Sequence, residues 1–253
     1  MIFDTHAHYD DEQFKEDRHE LLTGMKEHGV GFIVNASAEV ASWERTIALT
    51  QKYPFIYGTI GVHPDDVGDL NEENFERMER LLSTDKIVAV GEIGLDYYWD
   101  NQPHDIQKQW FIRQLNLSRE HNLPVVIHSR EAAEDTLCIM KEYASDLPAI
   151  LHCFSYSREI AREYVKMGYF IGVGGVVTFK NARKLKEVVV DTPIEHLLLE
   201  TDCPYLAPVP NRGKRNSSAN LIYVAEEIAR LKDMTAEDVI SITETNAKKI
   251  YSL

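Results

Sequence analysis

The chain has 253 residues, 44% of them hydrophobic, which is enough for a sizeable core and suits either one (β/α) barrel or two smaller domains. Its 41 acidic residues against 27 basic ones give a net charge of −14, which excludes indiscriminate coating of DNA but leaves room for cations that neutralise carboxylates. No apolar stretch approaches the roughly 18 to 20 residues that span a bilayer, residues 1–20 lack the pattern of a signal peptide, and three cysteines without a CxxC pair exclude a disulfide framework or a thiolate zinc site. We therefore expect a cytoplasmic protein with no membrane partner, a single domain over residues 1–253, and Cys138, Cys153 and Cys203 as small buried hydrophobes.

Short β-branched runs alternate with amphipathic stretches along the whole chain. The pattern predicts strands at Ile2–Thr5, Gly31–Ala36, Phe55–Val62, Ile87–Glu92, Pro124–His128, Ala149–His152, Tyr169–Val173 and His196–Glu200. Between them ERMERLLS, IQKQWFIRQLNLSREHN, EDTLCIMKEYA and REIAREYVKMG carry apolar residues at three- and four-residue spacing, the mark of helices with one buried face. Nearly all-apolar strands that alternate with helices imply a parallel sheet covered on its outer face. Eight such units in this length predict a closed (β/α)8 TIM barrel rather than an open doubly wound sheet. The tail TAEDVISITETNAKKIYSL reads as closing helices, with Thr235 as N-cap and Glu237 and Asp238 in the first turn.

A parallel barrel opens all its strand C-termini on one face, where active sites are built. The predicted strands end in THAH, GVHP, VGEIGLD, VVIHS, ILHCF and LLLETD, so His6, His8, His63, His128 and His152, five of the ten histidines, share that rim. His6 and His8 lie two apart and so point the same way, as a chelating pair must. Alone they are also what a strand end that happens to carry histidines would show. Together with His128, His152, Glu92 and Asp202, they form a crowd of imidazoles and carboxylates that is costly to bury without a cation. Such nitrogen and oxygen donors suit zinc, manganese, iron or related divalent ions. Six donors exceed one tetrahedral site, which points to two divalent cations. The expected partition puts His6, His8 and Asp202, from neighbouring first and eighth strands, on one ion and His128 and His152 on the other, with Glu92 bridging.

The segments THAHYD, GVHP, VGEIGLDYY, PVVIHSR, LHCFS, LLLETDCPYLAPVPNRGKRN and TNAKKIY, in this order from residue 2 to about 252, resemble the TatD family of metal-dependent hydrolases and deoxyribonucleases within the amidohydrolase superfamily. The resemblance implies a (β/α)8 barrel, a divalent-metal centre and hydrolysis of DNA phosphodiesters from the 3′ end. It assigns His6, His8, Glu92 and Asp202 to one metal and Glu92, His128 and His152 to the second. One departure is that NSSA stands where many relatives have Asn-Glu-Pro-Ala, which bears on loop shape and substrate fit.

For the chemistry, Asp202 is the expected general base, with Glu92 beside it as a catalytic residue. Glu200 shares its strand face, either supporting the same water or standing behind a ligand. His63 is expected to contact substrate or phosphate, with Pro64 fixing the turn. Positive charge for DNA would come from Arg130, from Lys180, Arg183, Lys184 and Lys186 after strand seven, and from Arg212, Lys214 and Arg215 after strand eight. The lysines at 184 and 186 are also what a solvated helix face would carry. Tyr97, Tyr98 and Trp99 are candidates to stack on an unpaired base, or to pack in the core. Alternatives are a small-molecule amidase or lactonase, although no lysine ends the fourth strand as in many such relatives; an esterase acting on aminoacyl-tRNA; and a binding or scaffold protein with a structural metal, although structural zinc sites are closed and rich in cysteine.

Overall fold

The computed structural model describes residues 1–99 and 101–253. In chain order the elements are β1 (Ile2–Ala7), α1 (Arg18–Thr23), β2 (Val30–Ala36), α2 (Trp43–Lys52), β3 (Ile56–Ile60), α3 (Glu72–Leu81), β4 (Ile87–Asp96), α4 (His104–His121), β5 (Val125–Arg130), α5 (Ala133–Tyr143), β6 (Ala149–Leu151), α6 (Arg158–Lys166), β7 (Phe170–Val173), α7 (Arg183–Asp191), β8 (Leu197–Leu199), α8 (Leu221–Lys232) and α9 (Ala236–Tyr251). The eight strands pair in parallel in sequence order. The circle closes between the last residues of β1 and the segment just past β8, where Ala7 bridges Cys203 in parallel and the His6 carbonyl accepts the N–H groups of Thr201 at 3.3 Å and Asp202 at 3.0 Å. This is a (β/α)8 barrel.

Alternation along the strands divides the core into two layers. The inward residues Phe3, Val34, Val126, Ile150, Phe170 and Leu198 meet inside the barrel, and Ile250 and Tyr251 of α9 pack against them to plug one end. Their strand neighbours Ile2, Ile33, Val125, Leu151, Ile171 and Leu197 face outward under the helices. One step further along the inward face, two residues beyond Val126, Ile150 and Leu198, stand His128, His152 and Glu200. The apolar layer therefore fills one half of the interior and the polar residues fill the other. On β7 the matching position is Gly172, where a Cβ would fall 2.2 Å from Glu200 Oε2, so only glycine leaves that carboxylate its place.

Several boundaries differ from the sequence-based expectation. β4 runs ten residues rather than stopping at Glu92, because Gly94, Leu95 and Asp96 keep pairing with His128, Ser129 and Arg130 of β5. The tail is one helix, α9, not several, and Thr235 caps it by accepting the Asp238 N–H at 3.1 Å. The cysteines are not uniformly buried. Cys203 is buried, Cys153 is half-buried and Cys138 is exposed, because α5 turns Thr136, Ile139 and Met140 to the core instead. Among the described residues, no helix is long and apolar enough to cross a membrane.

Candidate metal centre

The open end of the barrel gathers His6, His8, His63, Glu92, His128, His152 and Asp202. Glu92 lies at the middle and is 4% exposed. One of its oxygens, Oε1, is 2.8 Å from His128 Nδ1 and 3.8 Å from both His63 Nε2 and His152 Nε2. The other, Oε2, is 3.3 Å from His6 Nε2 and 3.7 Å from His8 Nε2. Asp202 Oδ1 closes the ring, 3.3 Å from His8 Nε2 and 3.8 Å from His152 Nε2. His6 and His8 do point the same way, with their Nε2 atoms 3.1 Å apart.

Three of these imidazoles are held from behind. His8 Nδ1–H donates to the Ala36 carbonyl at 2.9 Å, His128 Nε2–H to Asp96 Oδ2 at 3.0 Å and His152 Nδ1–H to Glu200 Oε2 at 3.2 Å. Such partners fix the ring orientation and turn the opposite nitrogen toward the centre, where it offers a lone pair once a cation displaces its proton. Glu200, fully buried, also accepts the Cys153 N–H at 2.6 Å, so it meets the site through His152. Among the described residues, buried His6 Nδ1 finds no hydrogen-bond partner.

Burial works against charge throughout, and the neighbours decide each outcome. Burial would raise Glu92, but the charges of His6 and His152 and hydrogen bonds from His128 and His6 hold it well below the ordinary carboxylate range. Asp202 is likewise held low against burial, by its hydrogen bond with His8 and the charge of His152. Against the same burial, Asp202 and Glu92 lift His8 to about 10, and Asp96 and Glu92 lift His128 to about 9. Burial and the charge of His128 push His63 down to about 3; burial and the charge of His152 lower His6.

These donors fit divalent metal. The triples His6–His152–Asp202, His6–His8–Glu92 and His63–Glu92–His128 each bring three donor atoms within 4.8 Å of one another. Imidazole nitrogens facing each other at 3.1 Å, beside two ionised carboxylates, make a converging set of donors that a cation satisfies in place of protons. The grouping differs from the partition expected above. The His152 ring stacks on His6 with centroids 3.4 Å apart but lies 6.4 Å from His128, whose nearest imidazole is His63 at 4.2 Å. β6 is short, and the chain turns at its end, so His152 leans over toward the seam between β1 and β8.

Two carboxylates behind the site escaped the sequence reading. Asp96, on the inward face of β4 four residues past Glu92, was hidden by ending that strand too early. Asp4 has the parity of His6 and His8, but a register shift between Asp4 and Ala7 breaks the alternation. It accepts from Thr201 Oγ1 and Ser218 Oγ, each at 2.6 Å, and burial raises it to about 7 despite those bonds.

In front of the centre is a cavity of about 770 Å³ whose walls include His63, Trp99, Arg130, Tyr205 and Leu206. Tyr98 and Trp99 are 55% and 58% exposed, and the Arg130 guanidinium lies 3.8 Å from the Tyr98 ring centre and 5.4 Å from that of Trp99. Tyr97 instead packs inward, stacked on His104 at 3.6 Å with its hydroxyl donating to Asp135 at 2.7 Å. His63 caps a turn, its Nδ1 accepting the Asp65 N–H at 3.2 Å. Among the cations, Arg183 pairs with Glu187, Lys186 with Glu227 and Arg215 with Asp17, so these charges are partly spent within the chain. Arg212 is exposed, with its guanidinium 4.2 Å from the Phe179 ring centre.

An eight-stranded barrel with histidines and carboxylates converging at its open end defines a metal-dependent hydrolase, and comparison with known proteins agrees. The chain belongs to the TatD family: the family model described as "TatD related DNase" matches residues 3–252. The metal-dependent hydrolase YabD of Bacillus subtilis is 46% identical over 254 residues, covering 100% of both chains. The metal-dependent hydrolase TatD of Mycobacterium tuberculosis is 35% identical over 84% of this chain and 79% of its own. The crystal structure of YjjV, a TatD homologue from Escherichia coli, superposes with a TM-score of 0.93 at 30% identity, covering 100% of this chain and 98% of that one. The protein is thus an enzyme, a metal-dependent hydrolase.

Proposed function

We propose that the chain, as a single domain working in the cytoplasm, is a deoxyribonuclease that removes nucleotides from the 3′ ends of single-stranded DNA with two divalent cations at the centre. The observation that carries this reading is that Arg130 and Trp99 line the cavity in front of the imidazole and carboxylate cluster, with exposed Tyr98 against the Arg130 guanidinium. A guanidinium for phosphate beside exposed aromatic faces for unpaired bases is the equipment of single-strand binding. Bound divalent cations supply the charge that acidifies a water and offsets charge growing on a phosphoryl oxygen.

The rest falls to this chain's side chains. His6, His8, Glu92, His128, His152 and Asp202 would hold the cations; Glu92 faces His128 through Oε1 and His6 through Oε2. Asp202, kept ionised by His8, takes the proton of the attacking water. His63, Arg130 and Arg212 orient the phosphate of the strand, and Tyr98 and Trp99 exclude water by stacking on the adjacent base.

The test is to incubate metal-loaded protein with 3′- and 5′-labelled single-stranded DNA beside carboxyl-ester, aminoacyl-RNA and amide substrates. Loss of the 3′ label first, with Glu92→Ala and Asp202→Asn each reducing the rate at least a hundredfold, is the expected result on the scale of losing a group that acts in the transition state. Full nuclease activity in both variants would end this assignment.

A further inference from the structure

A second cavity, of about 300 Å³, lies beside the centre and shares Cys153, Ser155, Asp202 and Leu206 with the larger one. Its walls are apolar, formed by Phe154, Val176, Leu185 and Leu206, while Asn181 and Lys184 stand exposed on its rim. The loops on either side brace each other. At Gly175 a Cβ would lie 2.1 Å from the Leu206 carbonyl oxygen, so the two backbones touch there. The Val209 N–H donates to Thr178 Oγ1 at 2.9 Å, and Arg212 covers Phe179. The cavity is therefore set by backbone contacts within the chain.

We propose that this cavity receives the terminal nucleobase of the DNA strand, so that the phosphodiester joining that nucleotide to the rest lies at Asp202. The proposal rests on the nuclease reading and deepens it. Apolar walls suit the faces of a base, and the Asn181 amide meets base edges of any identity without a fixed code. Lys184 complements phosphate. A space of this size holds one base with its sugar and not a second nucleotide, so the strand enters only by its end. Water adds across the P–O3′ bond: its oxygen bonds to phosphorus as the P–O3′ bond breaks, and Asp202 takes one of its protons and returns it to the leaving O3′ of the penultimate nucleotide. A nucleoside 5′-monophosphate remains in the cavity as product.

The experiment compares binding of thymidine 5′-monophosphate and 2-deoxyribose 5-phosphate to Mn2+-loaded protein by calorimetry, alongside oligonucleotide kinetics. The base-bearing ligand should bind about tenfold or more tightly, the scale of stacking one base on an apolar face. Asn181→Trp, which blocks the rim from an exposed position, and Leu185→Trp, which fills the wall, should both erase that difference and raise KM for oligonucleotides about tenfold while kcat changes less. Equal binding of the two phosphates to the unaltered protein overturns the proposal, as does a base preference that survives in variants with unchanged circular dichroism. If DNA is not cleaved yet base-dependent binding is present and lost in the variants, the cavity stands as a nucleotide site and the polymeric substrate falls instead.

Discussion

Replacing Asp96 by asparagine changes one atom at the back of the metal centre and tests how far its control reaches. Asp96 is 1% exposed; its Oδ1 accepts the N–H groups of Tyr98 at 2.8 Å and Trp99 at 3.1 Å, and its Oδ2 accepts from His128 Nε2. Asparagine can keep the first pair of bonds, but its amide then turns two hydrogens toward His128, which must lose its Nε2 proton or swing away. His128 Nδ1 consequently stops presenting a fixed lone pair beside Glu92. Loss of such a supporting carboxylate typically weakens metal binding tenfold to a hundredfold, about 1.4 to 2.7 kcal/mol. Against burial, His128 and the two backbone N–H groups also hold the Asp96 pKa down at about 2. The resulting stabilisation of the metal-free chain is fully present above the ordinary aspartate range and lost as pH falls through about 2. The assay is calorimetric titration of Mn2+ into chelator-treated protein, with thermal melts of the same samples at pH 7. Mn2+ affinity within twofold of the original would refute the claim that Asp96 orients a ligand, whatever happens to the melting temperature.

Metal uptake should expel protons, because His8 and His128 are charged at pH 7 in the metal-free chain and must be neutral to coordinate. Titrations in buffers of differing ionisation enthalpy should show release of about two protons and affinity rising from pH 7 to 9; a pH-independent affinity counts against their role. By the same shifts, metal-free stability from these two histidines is complete below about pH 6.5 and lost as pH climbs through about 9 to 10, so chelator-treated protein should melt lower at pH 10 than at pH 7. Arg130→Ala should weaken single-stranded DNA binding and lower the salt dependence of binding by about one phosphate contact, with an unchanged slope excluding Arg130 from the path of the backbone. Gly94→Ala should destabilise the fold by at least about 2 kcal/mol in urea melts, since Gly94 sits at φ +145° and a Cβ there would come within 1.9 Å of the His128 carbonyl oxygen.

The barrel was legible because its rule is simple: apolar strands alternate with one-faced helices, and the chain repeats this until the sheet closes. The inward positions after Val126, Ile150 and Leu198 could be named for the same reason, as alternation carries a buried apolar residue to a polar one two places on. What stayed hidden depends on breaks in that rule. β4 continues because β5 keeps offering partners, and nothing local to Asp96 announces it. Asp4 falls out of step where β1 shifts register. The lean of His152 toward His6 reflects how a short strand ends, which is a matter of packing in three dimensions. Likewise the ion pairs that engage Arg215 and Lys186 involve Asp17 and Glu227, partners far away in sequence that charge counting cannot see.

The seam between β1 and β8 is made by the very peptides that carry the donors. The His6 carbonyl receives Thr201 and Asp202, and the His8 N–H donates to the Cys203 carbonyl at 2.8 Å. On a ribosome, then, a nascent chain that has completed seven strands and folded six helices owns most of its imidazoles yet has no reaction chamber. Hydrolytic competence arrives together with the closing of the cylinder, once Thr201, Asp202 and Cys203 have met β1, and an unclosed chain is kept harmless by geometry rather than by an inhibitor.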